Sequence, residues 1–282
     1  MSWFTETLYD DWQQRFPISR EVFRHKTDFQ DVIIFETPRF GRVLALDGVV
    51  QTTERDEFIY HEMLAHVPVF GHGAARSVLI IGGGDGGTLR EVLRHDVERA
   101  TMVEIDPSVI DLCREHMPTL SDGAFDDPRA EIVVADGCAF MRESDRTFDV
   151  IMVDSTDPHG PGEVLFTAEF YGDCRKRLNP GGILATQSGV PFMQPEELTN
   201  SAERLGRHFA DAAFYVAPVP EYVGGFMAFG FAPAGGPPQP PAAEDLERRF
   251  AKAGFRTKYY TPAIHRAAFA LPAFALELIG GR

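Results

Sequence analysis

Between residues 77 and 188 the chain alternates short apolar runs with segments that have the pattern of amphipathic helices. Five runs are typical of strands: SVLIIG (77–82), RATMVEI (99–105), AEIVVAD (130–136), FDVIMVD (148–154) and GILATQS (182–188). Helical patterns follow at 88–95, 107–117 and near 195–210. Strands with apolar cores and intervening helices favour a parallel sheet that is covered on both faces.

The two ends of the chain have a different pattern. The first 55 or so residues contain the runs EVFRHKT, DVIIFET and GRVLALDGVVQTT, which are broken by turns and are typical of antiparallel strands. Residues 212–220 and 224–232 indicate an antiparallel pair at the edge of the main sheet. We therefore predict an α/β fold with a small N-terminal antiparallel β domain (1–55) and a Rossmann-like catalytic domain (56–282).

A glycine-rich turn, IIGGGDGGTLREV (80–92), lies between the first predicted strand and the first predicted helix of this region. The spacing Gly82-x-Gly84-x-x-Gly87 fits the nucleotide-binding pattern GxGxxG, which is a weak signal by itself. A purely structural tight turn is the alternative. The next strand ends at Glu104, 22 positions after Gly82, where an acid can accept hydrogen bonds from both ribose hydroxyls. This context favours a nucleoside site.

Acidic residues follow the successive strands at their carboxyl ends. Right-handed crossovers bring these ends to one edge of the sheet, where ligands of open α/β sheets bind. We expect the following acids to converge there: Asp85, Glu104, Asp136, Asp154 and Asp157. The alternative is that each is a solvated turn residue or a helix N-cap, positions where Asp is common.

The charge balance favours a cationic ligand. The chain has 27 basic and 42 acidic residues, a net charge of −15, which opposes nucleic acid and anionic membranes as partners. Asp85 within the glycine turn would repel a pyrophosphate, so a positively charged nucleoside such as S-adenosylmethionine fits better than NAD. Cys113, Cys138 and Cys174 share no CxxC spacing, and we predict neither a disulfide framework nor a zinc site. With no signal-peptide pattern and no membrane-length apolar run, we expect a cytoplasmic protein.

Eight motifs occur in order along nearly the whole chain: ALDGVVQTTERDEFIYHEM (45–63), VLIIGGGDGGTLRE (78–91), VEID (103–106), DG (136–137), DSTDPHGPGEVLF (154–166), LNPGG (178–182), PEYVGGFMAFG (220–230) and YYTPAIHRAAFALP (259–272). Together they resemble the spermidine synthase family, the polyamine aminopropyltransferases, and bacterial members most closely. The resemblance implies a methyltransferase-like Rossmann domain behind an N-terminal β domain, in a homodimer or homotetramer. It also implies transfer of an aminopropyl group from decarboxylated S-adenosylmethionine to putrescine, giving spermidine and 5′-methylthioadenosine, without a metal or other cofactor.

The resemblance implies roles for individual residues. Asp154 would be the proton acceptor and Asp157 would bind the diamine. Asp85 would hold the ammonium of the aminopropyl group, and Glu104 would bind the ribose. The remaining members of the expected substrate site are Gln30, Gln51, Tyr60, His61, Asp136, Gly137, Ser155, Thr156, Pro161 and Tyr222, with Asp136 and Gly137 near the adenine.

Two further expectations concern loops. Residues 159–166 contain Gly160, Pro161 and Gly162, which suit a lid that closes and excludes water; a static surface loop is the alternative. The resemblance implies that Pro161 belongs to a loop that closes over the adenine. Many relatives carry Thr before the position of Tyr222, whereas this chain has Glu221. We favour an orientation towards solvent, which would change nothing; the alternative is that Glu221 faces the channel, where a further carboxylate could alter the amine preference.

Three other functions remain open at the level of sequence. An S-adenosylmethionine-dependent amine methyltransferase could use the same scaffold. An NAD-dependent oxidoreductase would explain GxGxxG but not the acids of DSTDP. A non-catalytic polyamine-binding protein would not need a proton acceptor. Within the transferase interpretation, cadaverine, agmatine or spermidine could replace putrescine as the acceptor.

Overall fold

The structure is a computed structural model that describes residues 2–158 and 160–280, without the side chains at positions 160 and 161. Its N-terminal part is antiparallel, as predicted. Strands β1 (Ser2–Thr5) and β2 (Arg15–Ile18) form one hairpin-like pair. Strands β3 (Arg20–Lys26), β4 (Asp31–Thr37), β5 (Gly41–Leu46) and β6 (Val49–Thr53) form a four-stranded sheet in chain order.

The main sheet has seven strands in the order β12-β13-β11-β10-β7-β8-β9. Their bounds are β7 (Ser77–Gly82), β8 (Arg99–Glu104), β9 (Ala130–Val134), β10 (Phe148–Asp154), β11 (Leu178–Gln187), β12 (Ala213–Ala217) and β13 (Met227–Pro233). Strands β7 to β11 pair in parallel, and β12 and β13 add an antiparallel edge. The predicted α/β fold, including the antiparallel pair at the edge, is confirmed.

The described residues contain ten α-helices, of which the last three follow the final strand β13. They are α1 (Glu57–His72), α2 (Gly87–Leu93), α3 (Pro107–His116), α4 (Pro118–Ser121), α5 (Gly137–Glu143), α6 (Ala168–Arg177), α7 (Pro195–Gly206), α8 (Ala243–Ala253), α9 (Pro262–Ala268) and α10 (Ala273–Leu278). Short 3₁₀ helices span Ala124–Asp126 and Gly160–Phe166. No helix of this described part is long and apolar enough to cross a bilayer.

The central strands of the main sheet are buried on both faces because their side chains alternate between two cores. On β7, Leu79 and Ile81 pack into one hydrophobic cluster, while Val78 and Ile80 pack into another on the opposite face. A strand that is covered on both sides needs apolar residues at every position, which explains the continuous run SVLIIG.

Helix α1 was not identified from the sequence. Its segment EFIYHEMLAHVPVFGH is buried over 13 of its 16 residues, so it lacks the polar face that marks an amphipathic helix. It packs against α2 and against strands β10 and β11. Since β6 ends at Thr53 and α1 begins at Glu57, the link from the N-terminal sheet into the main domain passes directly beside the carboxyl edge of the main sheet.

Candidate active site

A cavity with about 1100 Å³ of empty space lies at the carboxyl edge of the parallel strands. It is walled by the glycine turn, the ends of β8 and β10, the start of α5, helix α1, and strands β5 and β6. Twelve of the residues expected in the substrate site line it: Gln30, Gln51, Tyr60, His61, Asp85, Glu104, Asp136, Gly137, Asp154, Ser155, Thr156 and Tyr222. The predicted convergence of residues from distant motifs at this edge therefore occurs.

Asp154 ends strand β10, and both of its carboxylate oxygens accept hydrogen bonds. The Tyr60 hydroxyl donates to Oδ1 over 2.9 Å, and the Thr88 hydroxyl donates to Oδ2 over 2.6 Å. Burial, reinforced by the negative charge of Asp85, raises the pKa of Asp154 above its usual value, although these two hydrogen bonds oppose the rise. The result is a carboxylate that is oriented on two sides and more basic than an ordinary Asp.

The glycines of the turn allow the backbone of Asp154 and the ring of His61 to lie close to the turn. Gly82 has φ +86°, and a Cβ built there would lie 2.1 Å from the carbonyl oxygen of Asp154. The same oxygen accepts a hydrogen bond from the N–H of Gly83 over 2.9 Å. A Cβ at Gly87 would lie 2.3 Å from the ring of His61. At both positions any side chain would displace a member of the site.

His61 lies between two carboxylates. Its Nδ1 is 2.7 Å from Oε2 of Glu57, and its Nε2 is 3.4 Å from Oδ2 of Asp85. Burial opposes a charged imidazole, but Asp85 and Glu57 outweigh it and hold the pKa of His61 well above 6.5. Arg90 in turn donates to Glu57 over 2.8 Å. The row of charges Arg90, Glu57, His61 and Asp85 therefore ends with a carboxylate at the cavity.

Asp85 is held in its ionised form. Burial acts to raise its pKa, but the positive charge of His61 and a 2.6 Å hydrogen bond from the Gly87 N–H keep it below the usual value. A carboxylate in this state suits an ammonium ligand. Glu57, Thr88 and Arg90, which build these contacts, were missed from the sequence; only the four-residue spacing of Glu57 and His61 on a helix was available as a signal.

Glu104 ends strand β8 and is 9% exposed. It accepts a 2.9 Å hydrogen bond from the N–H of Asp106. Burial raises its pKa to about 7, against the effect of the neighbouring backbone N–H groups. Gln30 donates to Oδ2 of Asp106 over 3.0 Å, and so ties the N-terminal sheet to this strand end.

Asp136 lies at the cavity, as predicted for a ligand contact, but it is also a helix N-cap, which was the alternative interpretation. It lines the cavity with Gly137, but its side chain is exposed and its Oδ1 accepts the N–H of Ala139 over 2.8 Å, as the N-cap of α5. Apolar residues lie on the same side of the cavity, among them Ile81 and Leu165. This side of the cavity therefore contains an apolar slot beside the N-terminus of α5.

A second cavity, with about 480 Å³ of empty space, adjoins the first. Five residues line both cavities: Gln51, Tyr60, Ser155, Thr156 and Tyr222. Asp157 lies in the second cavity and accepts a 3.1 Å hydrogen bond from Nε2 of Gln194. Glu6 and Tyr9, from the N-terminal part of the chain, also line it and were not foreseen. The DSTDP motif thus places Asp154 at one cavity and Asp157 at the other.

The expectation that Glu221 faces solvent is wrong. Its side chain is 1% exposed and lines the main cavity beside Tyr222. The Tyr222 hydroxyl donates to the carbonyl of Gln51 over 2.7 Å, and Nε2 of Gln14 donates to the carbonyl of Glu221 over 2.7 Å. These contacts hold the segment against β6 and the N-terminal part of the chain.

Part of the predicted lid lies outside the described residues. His159 is not described, and neither are the side chains of Gly160 and Pro161, so the role predicted for Pro161 is not tested. Gly162, Val164 and Leu165 of the same segment line the main cavity. Among the described residues, no group of three or more His, Cys, Asp or Glu side chains is placed to hold a metal ion.

Two family models match the chain. Residues 57–235 match the spermine/spermidine synthase domain, and residues 2–54 match the spermidine synthase tetramerisation domain. Among curated relatives, polyamine aminopropyltransferase 1 of Pseudomonas aeruginosa is 55% identical over 99% of this chain and 98% of its own length. The polyamine aminopropyltransferase of Salmonella newport is 53% identical over 98% of this chain and 97% of its own.

Solved structures are similar over the whole chain. A spermidine synthase in complex with the transition-state analogue AdoDATO has a TM-score of 0.94 and 41% identity, covering 100% of this chain and 96% of that one. The spermidine synthase of Thermotoga maritima has a TM-score of 0.93 and 40% identity, covering 100% and 95% respectively.

Proposed function

The chain belongs to the spermine/spermidine synthase family and is a polyamine aminopropyltransferase, and we propose that it converts putrescine to spermidine with decarboxylated S-adenosylmethionine as the donor. Membership of this family decides against the three functions that the sequence left open, namely an oxidoreductase, a methyltransferase and a non-catalytic binding protein. The observation that supports the proposal most directly is the position of Asp154. Its carboxylate is more basic than that of an ordinary Asp and is held by hydrogen bonds from Tyr60 and Thr88, and Tyr60 lines both cavities.

The donor fits the main cavity. We place the ribose hydroxyls on Glu104, because a carboxylate at the end of the second strand can accept from both. The adenine would lie in the apolar slot beside Gly137. The primary ammonium of the aminopropyl arm would lie against Asp85, which the charge of His61 keeps ionised. In this arrangement the sulfonium and its reacting carbon would face Asp154.

The acceptor fits the second cavity. One ammonium of putrescine would lie near Asp157, and the other nitrogen would point past Tyr60 towards Asp154. Free alkyl amines titrate at roughly pH 10, so this nitrogen arrives with a proton that must be removed before attack. A carboxylate alone would favour the charged amine, and desolvation in a closed site must oppose that preference.

The reaction is a direct displacement. Asp154 first takes one proton from the amine nitrogen, and the resulting neutral nitrogen then forms a bond to the carbon next to the sulfonium, while the carbon–sulfur bond breaks and its electron pair stays on sulfur. The products are 5′-methylthioadenosine and a protonated secondary amine. Asp154 takes the proton from the attacking nitrogen, and Tyr60 and Thr88 hold its carboxylate in position. The leaving thioether is neutral, so no metal or other cofactor is needed to stabilise it.

The assembly and location are also proposals. We propose a homodimer or homotetramer formed through the N-terminal sheets, which is supported by the match of residues 2–54 to a model described as a tetramerisation domain. Trp3 and Trp12 in this region are 46% and 55% exposed, which suits a surface that another copy covers. The cytoplasmic location remains a prediction.

A panel of acceptors tests the proposed reaction. Decarboxylated or intact S-adenosylmethionine is supplied as the donor, with putrescine, cadaverine, agmatine or spermidine as the acceptor, and products are identified by mass spectrometry. We expect spermidine and 5′-methylthioadenosine in equal amounts from the decarboxylated donor and putrescine. A preference for another amine would correct the acceptor, and formation of a methylated amine from the intact donor would contradict the proposed reaction.

A further inference from the structure

Glu57 is a buried carboxylate beside the main cavity that the proposed reaction does not use. It is the first residue of α1 and is 3% exposed. Because His61 lies four positions further along the helix, the two side chains share one face, and Nδ1 of His61 is 2.7 Å from Oε2 of Glu57. Among the described residues that line the two cavities, His61 belongs to the main one and Glu57 to neither. Glu57 therefore reaches a ligand in this cavity through His61.

The two neighbours of the His61 ring determine how many protons it carries. On the side opposite Glu57, Nε2 lies 3.4 Å from Oδ2 of Asp85. An imidazole can donate to two carboxylates only when both ring nitrogens carry a proton, because a neutral ring has one N–H and one bare nitrogen. A neutral His61 would turn a lone pair towards Glu57 or Asp85. The geometry therefore favours the imidazolium, in agreement with the raised pKa of His61.

Glu57 supplies a negative charge on the side of His61 that does not face the cavity. Burial acts to raise the pKa of Glu57, but His61 and Arg90 hold it below its usual value, so Glu57 is ionised. Arg90 donates to Glu57 over 2.8 Å and to Glu91 over 2.8 Å. The positive charge of the His61 ring is therefore balanced from behind. The negative charge of Asp85 then remains available to a cation in the cavity.

The other groups that face His61 lie on the cavity side. The positive charge of His61 opposes the rise in the pKa of Asp154 and in that of Glu221, and both residues line the main cavity. The ring of Tyr60 packs edge-on against His61 at 5.5 Å, and burial raises the pKa of its phenol well above 10, so it stays neutral. Glu57 is thus the acid in direct contact with His61 from the side away from the cavity.

We propose that Glu57 is a positioning residue for the donor: it holds the His61 ring with an N–H towards Asp85 and balances the charge of that ring, so that Asp85 can pair with the ammonium of the aminopropyl arm. This inference rests on the proposed function, which places that ammonium at Asp85. Glu57→Gln keeps the size of the side chain and removes its charge. While His61 stays protonated in this variant, its charge is no longer balanced from behind and opposes the ammonium. Because a negative partner is lost, His61 should release its proton at a lower pH than in the unaltered enzyme.

Nitrogen NMR of the histidine side chains tests the protonation of His61 directly. The chain has nine His residues, and the signals of His61 are those that disappear in His61→Asn. In the unaltered enzyme we expect a proton on both ring nitrogens at about pH 7, above the ordinary pKa of a free His. In Glu57→Gln the ring should lose one proton at a lower pH. A ring with a single N–H in the unaltered enzyme at this pH would overturn the inference.

Calorimetric titration between about pH 5.5 and 9 tests the effect on the ligand. Decarboxylated S-adenosylmethionine is compared with 5′-deoxy-5′-dimethylsulfonioadenosine, which has the sulfonium but no ammonium. Below the pKa that His61 has in the variant, Glu57→Gln should weaken the first ligand roughly 10-fold and the second one less. The loss should shrink as the pH rises through that pKa, because the unbalanced charge of His61 disappears.

A matched variant separates this role from a structural one. Glu62 is a second buried carboxylate of α1, 1% exposed, which accepts from the backbone N–H groups of Tyr259 and Tyr260 over 2.8 and 2.7 Å. Glu62→Gln should lower stability without a loss that depends on the ammonium or on pH. If Glu57→Gln weakened both ligands equally at every pH, the inference would be wrong even though spermidine is formed. Failure of the unaltered enzyme to form spermidine would instead contradict the proposed function.

Discussion

The Tyr60 hydroxyl and the Asp154 carboxylate are joined by a hydrogen bond of 2.9 Å between side chains that are 94 positions apart in the sequence. Tyr60 comes from the buried helix α1, and Asp154 ends a central strand of the sheet. Each carboxylate oxygen has two acceptor positions, so Tyr60 and Thr88 occupy one on each oxygen and leave a second free. The contact therefore orients the carboxylate without blocking its capacity to take a proton.

Asp154→Asn should lower kcat about 10²- to 10⁴-fold, because the amide cannot accept the amine proton. The amide has nearly the same shape, and its oxygen can still accept from Tyr60 or Thr88. Steady-state kinetics with saturating donor and acceptor measures the loss, and calorimetry with 5′-methylthioadenosine checks that the adenosine site is unchanged. A variant whose kcat stays within about 10-fold of the original would remove Asp154 from the role of proton acceptor.

Tyr60→Phe should move the acidic limb of the pH–rate profile to higher pH. The Tyr60 hydrogen bond favours the ionised form of Asp154, so its loss raises an Asp154 pKa that burial already raises above the usual value. Asp154 must be ionised to accept a proton, and kcat/KM should therefore fall as the pH decreases through this pKa. Thr88→Val removes the second hydrogen bond and should shift the limb in the same direction. Unshifted limbs in both variants would contradict the assignment.

Gly82→Ala should destabilise the protein far more than Gly123→Ala. Both glycines have similar positive φ values, +86° and +83°, so both variants carry the same backbone strain of roughly 1–2 kcal/mol. Only Gly82 has a neighbour in the way, since its Cβ would lie 2.1 Å from the Asp154 carbonyl oxygen, whereas Gly123 has nothing within 4 Å. The difference, about 1–3 kcal/mol or more, can be measured by urea denaturation. Equal losses would show that the glycine turn is not tightly packed.

His61 should contribute stability that is lost as the pH rises. Asp85 and Glu57 overcome the effect of burial and hold the pKa of His61 in the folded protein well above 6.5. The folded state therefore binds more protons, and the contribution is fully present below about pH 6.5 and decreases towards the raised pKa. The free energies of unfolding of the original protein and of His61→Asn should consequently differ most near pH 6, and the difference should decrease as the pH rises towards the raised pKa of His61. A constant difference across this range would contradict a charged His61.

The sequence predicted the strand ends well because their positions follow from local patterns. Apolar runs identified the strand FDVIMVD with its final Asp154, and the topology of crossovers placed Glu104 at the same edge. Thr88 gave no signal, since a hydroxyl after a glycine turn is common. The buried position of Glu221 could not be predicted, because its segment is held by distant contacts such as that of Gln14, which lies 207 positions away. Contacts of that range arise only from the packed fold.

The N-terminal residues of the second cavity illustrate the same limit. Glu6 and Tyr9 belong to a part of the chain with no motif of its own, and they reach the site only because the N-terminal part packs beside β6. Asp136 is the opposite case, since the pattern that predicted a ligand contact equally predicts a helix N-cap. The structure assigns its carboxylate to the cap of α5 and leaves its backbone and Gly137 at the cavity.

Glu104 should make the binding of adenosine-containing ligands depend on pH near neutrality. Burial raises its pKa to about 7, so part of the protein holds Glu104 protonated at that pH. Ribose hydroxyls donate to an ionised carboxylate, and the affinity for 5′-methylthioadenosine should therefore decrease as the pH falls below about 7. Glu104→Gln should weaken this ligand roughly 10-fold or more at about pH 8 and abolish the pH dependence. Calorimetric titration of both proteins between about pH 5.5 and 8.5 measures the effect. Affinities that stay constant with pH in the original protein would show that Glu104 does not receive the ribose.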